Sequence, residues 1–112
     1  MKKIIIIICL SILLCGCKNI SKEDNIKKLM SENDYVIVDV RTREEYNESH
    51  IVEAINIPYD EINESIKLDK NKLIFVYCKS GNRSSIAYNT LNDLGYNVYN
   101  LGAYSEINLE KE

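Results

Sequence analysis

Tryptophan is absent from this 112-residue sequence, and histidine and proline each occur only once. Because His50 is the only histidine and Cys78 has no second cysteine nearby, we expect no metal site. The length leaves room for one small domain. The sequence therefore excludes a multidomain enzyme, and no cofactor is expected.

Positive charge is also scarce, since 14 Lys and Arg oppose 17 Asp and Glu, for a net charge of −3. The basic residues are scattered, whereas a protein that binds nucleic-acid phosphates needs a clustered basic surface. The eight tyrosines form no aromatic ladder that would stack bases, and we expect them to pack at the edges of the core. Nucleic acid is therefore not an expected partner.

A hydrophobic run long enough to span a membrane is missing as well. The apolar stretch 4–14 has about half of the roughly 20 residues that a spanning helix needs. It follows Lys2 and Lys3, and this order is typical of a secretory signal peptide. The residues Leu14-Cys15-Gly16-Cys17 resemble the lipobox of bacterial lipoproteins. The resemblance implies cleavage before Cys17 and a diacylglyceryl group on its sulfur.

Two interpretations of the N-terminal segment are open. In the first, residues 1–16 are a lipoprotein signal peptide, residues 17–21 are the lipidated Cys17 and a short tether, and residues 22–112 are the folded domain. In the second, an ordinary signal peptide is cut near Gly16 and Cys17 is incidental. Both predict export, and two acyl chains suffice for stable anchoring. We expect a lipid-anchored protein at the outer face of the cytoplasmic membrane or in the periplasm.

Most of the cysteines lie in this N-terminal segment, so Cys78 is the only thiol left in the exported chain. No intrachain disulfide can then form. An unpaired cysteine outside the cytoplasm is exposed to oxidants, which favours a chemical role for it. The alternative is that Cys78 is a small buried hydrophobic residue.

The rest of the chain alternates between helix and strand signals. Capping boxes at Ser21 and Thr42 each open a helical pattern, and apolar β-branched runs predict strands buried on both faces. The predicted helices are about 22–32, 43–49, 60–66 and 84–94, and the predicted strands are about 35–40, 51–57, 73–77 and 97–101. This order predicts an α/β fold with a small, mostly parallel sheet and helices on both faces.

The loop 78–83 joins a buried strand to a helix, at the end of the strand where open α/β sheets bind ligands. Backbone N–H groups of the loop and the helix N-terminus favour the thiolate of Cys78 and lower its pKa. Gly81 allows the chain to turn tightly. The same N–H groups would hold an anion or a charged sulfur, with positive charge from Lys79 and Arg83.

Several blocks of residues fall in order and at suitable spacing across about 20–107. They are Val38-Asp39-Val40-Arg41 with Glu45-Tyr46 after it, His50-Ile51 with residues 54–58, Val76-Tyr77-Cys78 with residues 80–84, and Leu94-Gly95-Tyr96 with residues 98–101. Together these blocks resemble the single-domain rhodaneses, which are sulfurtransferases. The resemblance covers most of the chain that follows the N-terminal segment.

The resemblance implies that Cys78 takes the outer sulfur of thiosulfate or of a persulfide and passes it to a thiol or a cyanide-like acceptor. The residues that it implies around the donor or the persulfide are Lys79, Ser80, Gly81, Asn82, Arg83 and Ser84. Arg83 has two open roles, which are contact with an anionic donor and a structural tie for the loop. Asp39 and Arg41 are expected to support the active-site backbone, and His50 is also expected to be structural.

The loop length separates two chemistries that occur on this fold. Cys78 and Arg83 have four residues between them, whereas the phosphatases and arsenate reductases that share the rhodanese fold have five. The longer loop makes a wider cradle that admits a tetrahedral oxyanion, so the shorter one favours sulfur transfer. The alternative function is a non-catalytic binding or redox-sensing module at the membrane surface. An exported redox protein is a further candidate partner.

The sequence departs from the family pattern at several positions. Ser49 and Glu53 stand where glycine is usual or common, which predicts either ordinary backbone angles or a small strain. Ala103 and Ile107 stand where the family has glycine and tryptophan near its end. The back wall of the pocket is therefore expected to differ from that of the family.

Overall fold

The computed structural model of the protein describes residues 21–112. The predicted signal peptide, the lipobox and Cys17 lie outside the described residues. The helices and strands of the described chain are α1 (Lys22–Glu32), β1 (Tyr35–Asp39), α2 (Arg43–Glu48), β2 (Ile55–Asn56), β3 (Leu73–Cys78), α3 (Asn82–Asp93) and β4 (Asn97–Ala103). Single 3-10 turns lie at Tyr59–Glu61 and Tyr104–Glu106.

Capping side chains set the start of the first two helices. The Ser21 hydroxyl accepts the backbone N–H of Asp24 at 3.0 Å, at the start of α1. Thr42 and Glu45 form a complete capping box at the start of α2. The predicted helix 22–32 is confirmed, and α2 ends one residue before the predicted boundary.

The strands form a single sheet in the order β2-β1-β3-β4, with every neighbouring pair parallel. Side chains of β1 and β3 alternate between the two faces of the sheet, and both faces are covered, which explains the continuous apolar runs in these strands. The core toward α3 contains Val38, Val40, Ile74, Val76, Ala87 and Leu91. The core toward α1 contains Ile26, Ile37, Phe75, Tyr77, Leu101 and Ile107. The predicted α/β fold, with a parallel sheet between helices, is confirmed.

The predicted strand 51–57 is wrong in length, because only Ile55 and Asn56 form β2. Ile51 makes an isolated antiparallel bridge with Lys111 instead. Between them, Glu53 takes a left-handed backbone conformation with φ at 74°, which no β-strand allows. The pattern of apolar residues in this segment does not reveal a turn at a single residue.

The predicted helix 60–66 is also wrong, since only one 3-10 turn forms, at Tyr59–Glu61. Ile62 already has an extended backbone. The Asn63 side chain then accepts the backbone N–H of Ser65 at 2.8 Å, a local hydrogen bond that competes with helix formation. In contrast, α3 begins two residues earlier than predicted, at Asn82.

Three features meet at the carboxyl edge of the sheet. β3 ends there at Cys78, and α3 begins there immediately after Gly81. α1 also begins there, because Lys22 Nζ donates to the carbonyl oxygen of Leu101, near the end of β4, at 3.3 Å. No helix within residues 21–112 is both long enough and apolar enough to cross a membrane.

Candidate active site

Cys78 is the last residue of β3 and is fully buried. The backbone N–H of Gly81 donates to Cys78 Sγ at 2.9 Å. The Ser84 hydroxyl oxygen lies 3.5 Å from the same sulfur. The loop therefore wraps around a single sulfur atom, with hydrogen-bond donors directed at it.

Burial, the largest single influence, raises the pKa of the Cys78 thiol, but hydrogen bonds from Ser84, Gly81 and Ser80 together bring that pKa below its ordinary value. The Ser84 hydroxyl also donates to the carbonyl oxygen of Gly81 at 3.1 Å. When the sulfur loses its proton, the same hydroxyl can turn to donate to the thiolate. The site therefore favours the reactive, negatively charged form of the cysteine.

Gly81 gives the loop its shape. Its φ of 101° lies in the region that favours glycine, and it stands as the N-cap of α3. A side chain added at Gly81 would meet no atom within 4 Å, so the backbone angle and not the available space requires glycine here. The tight turn predicted at Gly81 is therefore present.

The other loop residues differ in their exposure, and Arg83 also has a charged partner. Lys79, Ser80 and Asn82 are exposed, whereas Arg83 is half-buried. Arg83 Nη1 and Nη2 donate to the two carboxylate oxygens of Glu45, at 2.7 Å and 3.1 Å. This bidentate pair ties α3 to α2, which is the structural role left open for Arg83.

A buried charged network lies on the β1 side of Cys78. The Asp39 carboxylate accepts the backbone N–H and the guanidinium of Arg41, with the shortest distance 2.6 Å from Nη2. Asp39 also accepts the hydroxyl of Tyr77 at 2.7 Å. None of these contacts reaches Cys78 Sγ, but the Tyr77 carbonyl oxygen accepts the N–H of Val40 at 3.0 Å. The network thus holds the strand end from which Cys78 follows.

Arg41 is further enclosed by aromatic rings. Its guanidinium carbon lies 4.3 Å from the ring centre of Tyr104 and 5.4 Å from that of Tyr77. Its Nη2 also donates to the carbonyl oxygen of Ser49 at 2.7 Å. Every observed contact of Arg41 is therefore one that supports the fold around the site.

Ser49 and Glu53, the two residues that stand where the family has glycine, have different backbone conformations. Ser49 is extended, with φ at −168°, so its backbone is ordinary. Its hydroxyl accepts the hydroxyl of Tyr104 at 2.9 Å. Glu53, in contrast, carries the strain that was predicted as one of two outcomes. Ile107, which lies near the position where the resemblance implies a tryptophan, is buried in the core toward α1.

His50 lies away from the sulfur, against α2. Its ring stacks on Tyr46 with centres 3.8 Å apart, and its Nδ1 is 2.7 Å from the carbonyl oxygen of Tyr46. Its Nε2 lies 3.3 Å from a carboxylate oxygen of Glu112. Within residues 21–112, no group of three or more His, Cys, Asp and Glu side chains could hold a metal ion.

A cavity of about 350 Å³ opens beside the loop at the carboxyl edge. Its lining includes Arg41, Glu45, Glu48, Lys79, Tyr104 and Ser105. A larger cavity of about 680 Å³ lies at the amino end of β1, beside Asp34 and Tyr35. We assign the smaller cavity to the active site, because the larger one is at the opposite edge of the sheet from Cys78.

Sequence reasoning missed three residues of this site. The sequence marks Glu45 as part of a capping box and of the family resemblance, but neither pattern predicts that its carboxylate also holds Arg83. Tyr77 and Tyr104 were placed with the other tyrosines at the edge of the core, yet Tyr77 is fully buried at its centre. The position of Tyr77 directly before Cys78, at the end of a buried strand, was the one signal that could have separated it from the others.

Comparison with known proteins gives a consistent result. Residues 22–110 match the rhodanese-like domain family. The thiosulfate sulfurtransferase PspE of Escherichia coli (strain K12) is 40% identical over 78 residues, which are 66% of this chain and 75% of that protein. The thiosulfate sulfurtransferase GlpE of Coxiella burnetii (strain RSA 331 / Henzerling II) is 37% identical over 76 residues, covering 66% of this chain and 71% of that protein.

A solved structure described as a rhodanese with anions from E. coli superimposes with a TM-score of 0.64 at 35% sequence identity. The superposition covers 70% of this chain and 96% of that one. The similarity therefore extends over nearly the whole of that solved domain.

Proposed function

The chain belongs to the family of rhodanese-like domains, and we propose that it transfers sulfane sulfur through a persulfide on Cys78. The observation that carries the proposal is the contact between the Gly81 N–H and Cys78 Sγ at 2.9 Å, at the end of a buried strand. The names of two relatives, both thiosulfate sulfurtransferases, support the same class of activity.

In the first step, the Cys78 thiolate attacks the outer sulfur of thiosulfate. A new sulfur–sulfur bond forms, the old one breaks, and sulfite leaves with its electron pair. A persulfide donor reacts in the same way and leaves as a thiolate. The N–H groups that stabilise the thiolate also stabilise the negatively charged persulfide, which carries its charge on the outer sulfur.

In the second step, an acceptor attacks the outer sulfur of the persulfide. The bond between the two sulfurs breaks, and its electron pair stays on Cys78 Sγ, which becomes a thiolate again. Cyanide is converted to thiocyanate in this step, and a thiolate acceptor is converted to a new persulfide. No external oxidant or reductant is needed. Cys78 is thus the nucleophile of covalent catalysis. Exposed Lys79 is the cation that remains available to an anionic donor, because Arg83 is already paired with Glu45.

We also propose that the protein is exported and attached to a membrane by a diacylglyceryl group on Cys17. The support is the order of basic start, apolar stretch and lipobox-like residues in the sequence. Thiols of exported redox proteins are then candidate physiological acceptors. Two acyl chains would make the attachment stable.

The intact mass of the protein, purified in detergent, tests the sulfur chemistry. After thiosulfate treatment we expect a gain of one sulfur, about 32 Da, which cyanide removes as thiocyanate. Peptide mapping should place the added sulfur on Cys78, and the Cys78→Ala variant should not gain it. If neither thiosulfate nor a persulfide donor gives the adduct, the sulfurtransferase proposal fails and a non-catalytic module is left.

A further inference from the structure

We infer that the carboxyl edge of the sheet, which carries the Cys78 loop, is the face that this protein turns toward the membrane. The inference rests on the proposed lipid on Cys17, and the described structure supplies the rest. It identifies a lipid surface as the partner of this edge.

The direction of α1 shows at which edge of the sheet the chain enters the described structure. Its first residue, Lys22, reaches the carbonyl oxygen of Leu101 at the end of β4. Two residues after the end of α1, the carbonyl oxygen of Asp34 accepts the N–H of Leu73 at the start of β3. α1 therefore runs from the carboxyl edge to the amino edge, and the chain enters the described structure at the carboxyl edge.

The start of α1 lies at the same edge of the sheet as Cys78. β4 pairs with β3 so that Gly102 lies opposite Tyr77 and Ala103 lies opposite Cys78. The Lys22 ammonium also lies 3.8 Å from the position of a side chain added at Gly102. The residue that follows the tether is thus on the same edge of the sheet as the reactive cysteine.

The length of the tether limits how far Ser21 can stand from the bilayer. Three residues lie between Cys17 and Ser21, and the four steps from Cys17 to Ser21 span about 14 Å when the chain is fully extended. β3 alone, from Leu73 to Cys78, is about 17–20 Å long. If the protein rested on its amino edge, Ser21 would stand farther from the bilayer than the tether reaches. The short tether therefore favours the orientation in which the carboxyl edge is toward the bilayer.

The exposed charges of the carboxyl edge do not oppose this orientation. Lys22 and Lys79 are exposed there, as are Glu23 and Asp24 in the first turn of α1, Glu48 and Glu106. Because both signs are present, neither attraction to nor repulsion from an anionic bilayer sets the orientation, and the tether decides it. The cavity beside the Cys78 loop opens at this edge, within reach of thiols held at the membrane surface.

Single tryptophans provide the test, because the chain has none of its own. Ser105→Trp places a reporter just after β4 on the carboxyl edge, and Asn71→Trp places one just before β3 on the amino edge. Both residues are exposed. Glu106→Trp and Lys72→Trp are a second pair at the same two edges, in case either member of the first pair fails to fold.

The full chain is produced in a bacterium that processes lipoproteins and is placed in phosphatidylcholine vesicles that contain a nitroxide-headgroup lipid. We expect the nitroxide to quench tryptophan emission strongly at position 105 and little at position 71. Equal quenching at the two edges, or stronger quenching at position 71, would overturn the inference. The Cys17→Ser variant, in solution beside the same vesicles, should show no quenching at either position.

Flotation of the vesicles separates the inference from its premises. If the unsubstituted protein does not float with the vesicles, the lipid anchor is absent and the inference fails with it. If the protein floats but the quenching pattern is reversed, the anchor stands and only the orientation is wrong. The mass gain on Cys78 after thiosulfate treatment reports on the sulfur chemistry independently of both results.

Discussion

Tyr77 donates its hydroxyl hydrogen to Asp39 at 2.7 Å, across the two central strands of the sheet. The same hydroxyl oxygen accepts the backbone N–H of Ile51 at 3.1 Å. Tyr77 and Asp39 are both fully buried. Because Tyr77 directly precedes Cys78, this contact fixes the strand end at the point where the reactive loop begins.

Replacement of this hydroxyl should weaken the fold. Tyr77→Phe leaves the Ile51 N–H and one Asp39 oxygen without that partner inside the core, so we expect the free energy of unfolding to fall by about 1–3 kcal/mol. Urea denaturation at pH 7 measures the change. The control is Tyr99→Phe, which keeps a ring that packs edge-on against Phe75 and should change stability less. Equal losses in the two variants would contradict the importance of the Tyr77 hydrogen bonds.

The Ser84 hydroxyl should control the reactivity of the cysteine. It lowers the pKa of Cys78, so in Ser84→Ala that pKa should rise and the thiolate fraction at neutral pH should fall. The rate of alkylation by iodoacetamide, measured against pH, should shift to higher pH. Ser85→Ala is the matched control, because the Ser85 hydroxyl donates to the carbonyl oxygen of Gly81 and not to the sulfur. A profile that is unchanged in Ser84→Ala would refute this role.

The ion pair between Glu45 and Arg83 should make stability depend on pH. Hydrogen bonds from Arg83 are the main cause that lowers the pKa of Glu45 to about 2, from 4.5. A lowered pKa in the folded state stabilises the protein above pH 4.5, and that contribution is lost as the pH falls toward 2. Glu45→Gln should cost about 1–2 kcal/mol at pH 7 and much less near pH 2.

Denaturation curves at several pH values check this expectation. Glu44→Gln is the control, since Glu44 is the exposed neighbour on the same helix. A stability difference between Glu45→Gln and the unsubstituted protein that stays constant from pH 7 to pH 2 would show that the ion pair does not contribute in this way.

Lys79 should affect the binding of an anionic donor more than the chemistry of transfer. It is exposed beside the active-site cavity, whereas Arg83 is held by Glu45. In Lys79→Gln we expect the KM for thiosulfate to rise several-fold with kcat nearly unchanged, which indicates the loss of uniform binding. Lys72→Gln, at the opposite edge of the sheet, should leave both constants unchanged. A fall in kcat without a rise in KM would place Lys79 in the chemical step instead.

Glu53 offers a gain in stability. Its φ of 74° destabilises the folded state by about 1–2 kcal/mol for a residue that has a side chain, whereas glycine adopts this angle without strain. After the greater freedom of glycine in the unfolded chain is counted, Glu53→Gly should stabilise the protein by about 0.5–1 kcal/mol. Thermal denaturation measures the shift. Glu64→Gly, at an exposed turn without a positive φ, should not stabilise and is the control.

Much of the fold was accessible from the sequence, because its signals are local. The capping residues Ser21 and Thr42 mark the first two helices, and the continuous apolar runs mark β1 and β3. Cys78 and Gly81 mark the loop between β3 and α3. These features depend on neighbouring residues along the chain, so a pattern can show them.

The parts that the sequence did not predict depend on residues that are distant in the chain. Ile51 pairs with Lys111, and this bridge, together with the left-handed Glu53, shortens the strand that periodicity had predicted. The partner of Arg83 is Glu45, 38 positions earlier. A capping pattern identifies Glu45 as a helix start but gives no sign of its second partner.

Local patterns along the chain were enough to predict the alternation of helices and strands and the short loop that follows Cys78. Packing was needed to show which of the two cations at the loop is paired with Glu45, which tyrosine enters the core, and at which edge of the sheet the described residues begin. The physical reason is that hydrophobic periodicity and capping act over a few residues. Ion pairs, buried hydroxyl contacts and the position of α1 against the sheet are set only when distant segments pack together.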